Sequence, residues 1–212
     1  MPGAETKSYV AAPRSDSEAV VVVLHDWYGR LPHVNRLCDR LAQAGFLAVA
    51  PDMYDGRTAT EDAEAEKLME GLAESTAKAK FEEAVESART RGAQRLGLLG
   101  FSMGGGQALG FAAESTPAAA AIYYASYAGL EDKITCPVLG NLAEHDPWEE
   151  PEPTIRFFES LPQGSFHLYP GTEHSFANED VFRYNPKAAE EAWERSLRFL
   201  RRHLLAKEEV RQ

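Results

Sequence analysis

The chain has 212 residues, 44% of them hydrophobic and 26% charged, and its 22 lysines and arginines face 33 aspartates and glutamates for a net charge of −11. That is enough chain to bury the core of one domain spanning 1–212, and the apolar fraction argues against a disordered or fibrous class. The acidity, without any Lys/Arg-rich run, argues against nucleic acid or an anionic membrane as partner, because such binding rests on neutralised phosphates. Met1 to Val10 lacks the apolar stretch of a leader, and no run reaches the roughly 18 to 20 apolar residues a spanning helix needs, so the expected location is cytoplasmic with no membrane contact.

In chain order, Ala19 to Leu24 (AVVVVL) is a continuous apolar run, the pattern of a strand buried on both faces. His33 to Ala44 reads as a helix closed by Gly45 in the left-handed conformation, and Phe46 to Ala50 as the next strand. Ala65, Leu68, Met69 and Leu72 keep the spacing of an amphipathic helix, and a second, acidic helix follows to about Arg91. Leu96 to Phe101 is another fully buried strand, followed by a helix from Met103 to Ala113. Further strands are predicted at Ala119 to Tyr124, Pro137 to Leu142 and Ser165 to Tyr169. Ala189, Trp193, Leu197, Leu200 and Leu204 form the apolar stripe of a final helix. Strands separated by crossover helices imply an α/β fold, a mainly parallel sheet with helices on both faces.

Cys38 and Cys136 fit free buried thiols better than a bridge. Neither has a Cys or His at metal-ligand spacing, so no metal is expected. There is no Walker A sequence, and Gly104-Gly105-Gly106 lacks the spacing of a dinucleotide fingerprint, so no cofactor is expected either.

Gly100-Phe101-Ser102-Met103-Gly104 fits G-x-S-x-G at the end of a buried strand and the start of a helix. A strand-to-helix turn that exposes a serine hydroxyl needs small residues on either side, and the helix N-terminus turns N–H groups and a positive dipole end toward the same spot. The plain alternative is a glycine-rich turn with a capping serine. A serine nucleophile needs a base, and the base needs a partner that holds its tautomer. His174, in Gly171-Thr172-Glu173-His174-Ser175-Phe176, and Asp146, in Glu144-His145-Asp146-Pro147, each lie just past a predicted strand end. The order Ser102, Asp146, His174 is that of an α/β-hydrolase triad, and all three converge if the strands' carboxyl ends form the site. Of the other histidines, His145 breaks the order, His25 is expected to line the site without acting as base, and His33, His167 and His203 read as helix-entry, strand and surface residues. The oxyanion donors are assigned to the backbone N–H groups of Met103 and Trp27, the latter in the loop His25-Asp26-Trp27-Tyr28-Gly29.

Leu24-His25-Asp26-Trp27-Tyr28-Gly29, Ala50-Pro51-Asp52-Met53-Tyr54, Gly100 to Gly105, Glu144 to Pro147 and Gly171 to Phe176 together resemble the dienelactone hydrolase family, in order from about residue 19 to residue 205. The resemblance implies a compact α/β-hydrolase fold without a large cap domain. Three departures stand out. The namesake enzymes use a cysteine where this chain has Ser102. Their nucleophile-contacting glutamate corresponds to Asp26, which leaves two roles for this residue, a contact with the nucleophile or a brace for the oxyanion loop. Their carboxylate-binding arginine, four residues past the catalytic histidine, corresponds to Asn178, which cannot make a charged bidentate contact. Dienelactone is therefore expected to be a poor substrate, and the serine form looks more like the family's general esterases.

The expected activity is hydrolysis of a small-molecule ester or lactone through an acyl-enzyme on Ser102, by a monomer or homodimer. Asp26, Tyr54, Trp148 and Phe176 are the expected substrate-binding residues. A catalytically silent binding module, and an acyltransferase or perhydrolase on the same triad, are the alternatives. Glu144, Glu149, Glu150, Glu152, Glu173, Glu179 and Asp180 share the loops of Asp146 and His174. A mouth ringed by these acids would favour neutral or cationic esters over carboxylate-bearing ones.

Overall fold

The computed structural model describes residues 8–205. Seven strands form one sheet in the order β1-β3-β2-β4-β5-β6-β7. In chain order the described elements are β1 (Tyr9–Ala11), β2 (Ala19–Leu24), α1 (Pro32–Gln43), β3 (Leu47–Ala50), α2 (Asp62–Glu70), α3 (Glu74–Arg89) and β4 (Arg95–Phe101). They continue with α4 (Met103–Ser115), β5 (Ala119–Tyr123), β6 (Val138–His145), α5 (Pro151–Ser160), β7 (Gly164–Glu173) and α6 (Pro186–Leu204). All pairings are parallel except β1 with β3.

The continuous apolar run of β2 follows from its place between β3 and β4 with helices on both sides. Val20, Val22 and Leu24 enter a core shared with Phe81 and Val85 of α3, Ala108 and Leu109 of α4, and Phe157 and Phe158 of α5. Ala19, Val21 and Val23 enter a second core with Val34, Cys38 and Leu41 of α1 and Trp193, Leu200 and Leu204 of α6. A strand covered on both faces has no position where a polar side chain reaches water. Gly45, with φ +96°, ends α1 as expected.

Two elements go beyond the sequence reading. β1 has three residues and sits at the sheet edge, too short to set up a pattern. α5 begins Pro151-Glu152-Pro153, which reads as loop. The first-turn N–H groups of a helix have no intrahelical acceptor, so both prolines are tolerated there, and Thr154, Phe157 and Phe158 are buried.

The register aligns Leu24 with Gly100, Gly100 with Ile122, and Tyr123 with Asn141, so β2, β4, β5 and β6 end at one edge of the sheet. The segments that begin at His25, Ser102 and Asp146 all leave from that edge. The pairing of β6 with β7 is irregular between Ala143 and His145, directly before Asp146. Such irregularities re-aim the side chains that follow.

Both cysteines are free and buried, on opposite faces of the sheet. Burial pushes the Cys38 thiol up to about 12 and that of Cys136 to about 11, so neither forms a thiolate near neutral pH. Among the described residues no helix is long and apolar enough to cross a membrane.

Candidate active site

Ser102 has φ 50° and ψ −117°, outside the regions open to ordinary L-residues. It is fixed by backbone bonds on both sides: its N–H donates to the Tyr123 carbonyl at 3.0 Å, and its carbonyl accepts the Gly106 N–H at 2.9 Å. The side chain makes no cap to α4. The capping-serine alternative is thereby corrected, since Oγ instead lies 2.7 Å from His174 Nε2. The flanking glycines answer to sterics. A Cβ on Gly100 would lie 2.4 Å from the Gly104 carbonyl oxygen, and one on Gly104 would lie 2.4 Å from both the Leu24 and the His25 oxygens.

His174 Nδ1 donates to Asp146, 2.7 Å from Oδ2 and 2.9 Å from Oδ1. That bond leaves Nε2 as the acceptor facing the Ser102 hydroxyl, the tautomer a general base needs. Asp146 Oδ1 also accepts the N–H groups of Trp148 and Glu149, each at 3.0 Å. The imidazole is packed against Trp148 and Tyr124, with ring centroids 5.0 and 4.9 Å away. Asp146 and His174 are buried. The carboxylate is thus held by backbone donors, and the ring is held by both the carboxylate and the aromatic walls.

In the loop after β2, Asp26 is fully buried. Its Oδ1 accepts the Tyr28 N–H at 3.0 Å, its Oδ2 accepts Asn178 Nδ2–H at 2.8 Å, and its carbonyl accepts the Gly29 N–H at 3.2 Å. Of the two roles left open for Asp26, bracing the loop is the one these bonds perform. The Tyr28 and Gly29 N–H groups are committed to Asp26, and Trp27 lines the same pocket as Ser102.

His25 is corrected from a site-lining residue to a structural one. Its Nδ1–H donates to the Asp26 carbonyl at 2.6 Å and its Nε2 accepts the Met53 N–H at 3.1 Å, so both nitrogens are used by backbone. Burial lowers its pKa, which matches the neutral ring these bonds require. His145 is exposed, with Nε2 3.4 Å from Glu144, and takes no part in the triad.

Ser102 Oγ opens into a pocket of about 390 Å3 whose walls include Trp27, Met103, Tyr127, Trp148 and His174. Trp148 is where the sequence places it, but three other expected substrate contacts are not on this wall. Tyr54 is buried behind it, with its hydroxyl donating to Met103 Sδ at 3.1 Å. Phe176 is buried against Tyr124 and Tyr169, with centroids 5.6 and 5.1 Å away. Asp26 lies beneath the oxyanion loop. Asn178 is likewise fully buried and turned toward Asp26.

Met69, Tyr127 and Arg183 are contributors the sequence reading missed. Met69 projects from α2 and had only the signature of a helix stripe. Arg183 donates to Asp62 Oδ2 at 3.0 Å and to the Tyr28 hydroxyl at 3.2 Å, tying the start of α2 to the loop after His174. Its guanidinium also lies 5.1 Å from the centre of the Trp148 ring. The hydrogen bond from Arg183, followed by that from Tyr28, holds the Asp62 carboxyl below its usual range.

The acidic mouth is narrower than expected. Of the seven acids on these loops, Glu149 alone lines the pocket. Glu179 and Asp180 pair with Arg36, Asp180 also accepts the His33 N–H at 2.7 Å, and Glu144 accepts the Gly171 N–H at 2.8 Å. Glu149 Oε2 accepts the Ser126 hydroxyl at 2.7 Å, and burial raises its pKa. No lysine or arginine stands among the described residues of the pocket wall.

A mostly parallel sheet whose strand ends bring together Ser102, Asp146 and His174 in that chain order makes this an α/β-hydrolase. The chain belongs to the dienelactone hydrolase family, whose sequence model matches residues 6–204. A relative from Aquifex aeolicus (strain VF5), named as a carboxymethylenebutenolidase, is 31% identical over 95% of both chains. A crystal structure of a protein from Klebsiella pneumoniae named as a dienelactone hydrolase superposes with a TM-score of 0.82, at 25% identity over 91% of each chain. A cold-adapted esterase from an Arctic intertidal metagenomic library shares the fold, with a TM-score of 0.73, 21% identity, and 90% of this chain and 85% of that one covered.

Proposed function

We propose that this protein is a serine esterase or lactonase that cleaves a neutral carboxylic ester through an acyl-enzyme. Ser102 Oγ attacks the carbonyl carbon while His174 Nε2 takes its proton, and Asp146 stabilises the resulting imidazolium. The N–H groups of Met103 and Trp27 receive the oxyanion. The ester C–O bond then breaks, with the His174 proton passing to the departing alkoxide oxygen. Water attacks the acyl-enzyme, gives its proton to His174, and the collapse of the second tetrahedral intermediate returns a proton to Ser102 Oγ. The observation that carries this reading is the 2.7 Å contact between Ser102 Oγ and His174 Nε2 at a strained turn that opens onto the pocket.

A neutral substrate is favoured because the wall beside the serine offers one carboxylate and no cation. Relatives named as carboxymethylenebutenolidases act, by name, on a carboxylate-bearing lactone, and this pocket wall has no lysine or arginine to hold that carboxylate. A fluorophosphonate probe should label the wild-type protein at one site and leave the Ser102→Ala variant unlabelled. Folded wild-type protein that resists the probe would overturn the reading and favour a silent binding module.

Glu149 sets the charge preference. Glu149→Gln is expected to raise kcat/KM for mono-p-nitrophenyl succinate relative to p-nitrophenyl acetate by about fivefold, from roughly 1 kcal/mol of repulsion across a partly wet pocket. The gain should shrink as added salt screens the field. An unchanged ratio would remove Glu149 from substrate selection.

A further inference from the structure

The catalytic pocket does not end at Gly106. A second hollow of about 380 Å3 shares Met69, Met103, Gly106 and Tyr127 with it and continues along the outer face of α4 to Phe111. We infer that this trough is the acyl-chain subsite of the enzyme and takes a linear, uncharged alkyl chain. The inference rests on the serine hydrolase reading above and adds its substrate class.

The floor of the trough is formed by Gly106 and Gly110, one helical turn apart. A Cβ on Gly106 would meet nothing within 4 Å, and one on Gly110 would meet only Tyr127 Cε2 at 3.9 Å, so the missing side chains leave open space and serve no packing need. The side chains nearest the nucleophile end are mostly apolar, Met69, Leu72, Met103 and Tyr127, with Ala77 and Phe111 farther along and Gln107 as a polar neighbour on α4. Met69 is 38% exposed and Tyr127 47% exposed, large apolar surface left uncovered beside the nucleophile. At the far end Lys78 and Glu114 form an ion pair of 2.7 Å, and Glu74, one helical turn from Lys78, adds a carboxylate, so the lining offers no unpaired cation to an anionic chain end.

Length and direction fix the occupant. From Ser102 to Phe111 the helix rises about 13 Å. An extended chain of roughly ten carbons covers that distance, given C–C bonds of about 1.5 Å at near-tetrahedral angles. The leaving group must lie within reach of His174 Nε2, which protonates it. His174 and Trp148 line the pocket but not the trough, so the alcohol leaves on the Trp148 side and the acyl chain runs along α4.

The test is a series of p-nitrophenyl esters from acetate to decanoate, beside a series of n-alkyl acetates. In the wild type, kcat/KM for the octanoate should exceed that for the acetate by at least about tenfold, since each buried methylene contributes even in a half-open groove. Gly110→Leu should cut the octanoate-to-acetate ratio by about tenfold and leave the trend along the alkyl acetates unaltered, with the melting temperature as a check on folding. An unaltered octanoate-to-acetate ratio in Gly110→Leu overturns the subsite. Truncation of the alkyl acetate series instead overturns the acyl assignment.

Calorimetric binding of methyl octanoate against methyl acetate, in the Ser102→Ala protein with and without Gly110→Leu, reads the trough without chemistry. Chain-length-dependent binding that Gly110→Leu removes, in a protein without Ser102-dependent turnover, would leave the trough standing and sink the hydrolase reading. Ser102-dependent turnover with no chain-length dependence would do the reverse.

Discussion

Ser102→Ala is expected to lower kcat/KM for p-nitrophenyl esters by about 10⁴-fold or more, with the melting temperature within about 2 °C of the wild type. The side chain holds no cap and its one described partner is His174, so its loss removes the nucleophile and little else. What activity remains would come from the oxyanion donors and the pocket, which act on an attacking water. Combining Ser102→Ala with His174→Ala should cost no more than either alone, because the two act as one unit.

The strained turn separates catalysis from stability. A non-glycine residue held at φ 50°, ψ −117° costs about 1–3 kcal/mol. Ser102→Gly should therefore be as inactive as Ser102→Ala but melt a few degrees higher, by about 2–4 °C per kcal/mol recovered in a chain of this size. Full esterase activity in Ser102→Ala would end the assignment.

What could be read from the residues alone divides along physical lines. β2 and β4 were legible because a strand between two others, covered on both faces, must be apolar throughout. The meeting of Ser102, Asp146 and His174 was legible because each follows a strand that ends at the same edge, so chain order carries spatial information. The pocket wall was not, because it forms where α2 and the segment around Tyr127 approach α4, and nothing in the residues around Met69 or Tyr127 encodes that approach. Tyr54 and Phe176 show the limit most clearly. An aromatic beside a catalytic loop serves equally well as pocket wall or as core, and here Tyr54 braces Met103 from behind while Phe176 fills the space beneath Tyr124.

Asn178 and Asp26 were also beyond reach of spacing. After His174 the chain turns back at Ser175, with φ 65°, and the Asn178 N–H donates to the Ser175 carbonyl at 2.9 Å. That turn carries the Asn178 side chain inward, where a neutral amide can donate to the buried Asp26 carboxylate. Asn178 thus braces the loop after β2 from within the core and brings no cation to the pocket.

Where α4 crosses the end of β2 the backbones approach closely, and Gly104→Ala is expected to destabilise the protein by about 3 kcal/mol or more, near the upper end of overpacking costs. The added methyl group would sit 2.4 Å from the Leu24 and His25 oxygens and 2.6 Å from the Leu24 carbonyl carbon. All three are backbone atoms, at the last residue of β2 and the one after it, so no side chain can move aside to relieve the clash. α4 must back away, and with it Met103 and Ser102 retreat from Trp27 across the oxyanion site.

A displacement of that kind costs activity steeply, about 10²-fold for an ångström of misplacement. Gly104→Ala should thus melt roughly 6–12 °C lower and lose turnover at temperatures where it is still folded. Gly106→Ala, two residues on, should have the opposite sign in stability. Its Cβ meets nothing within 4 Å, and replacing glycine by alanine inside a helix contributes about 0.5–1 kcal/mol. Thermal melts of the two variants beside the wild type decide the matter. Equal melting temperatures for Gly104→Ala and Gly106→Ala would mean that the contact between α4 and β2 is looser than the 2.4 Å approach requires, and that the glycine serves the turn alone.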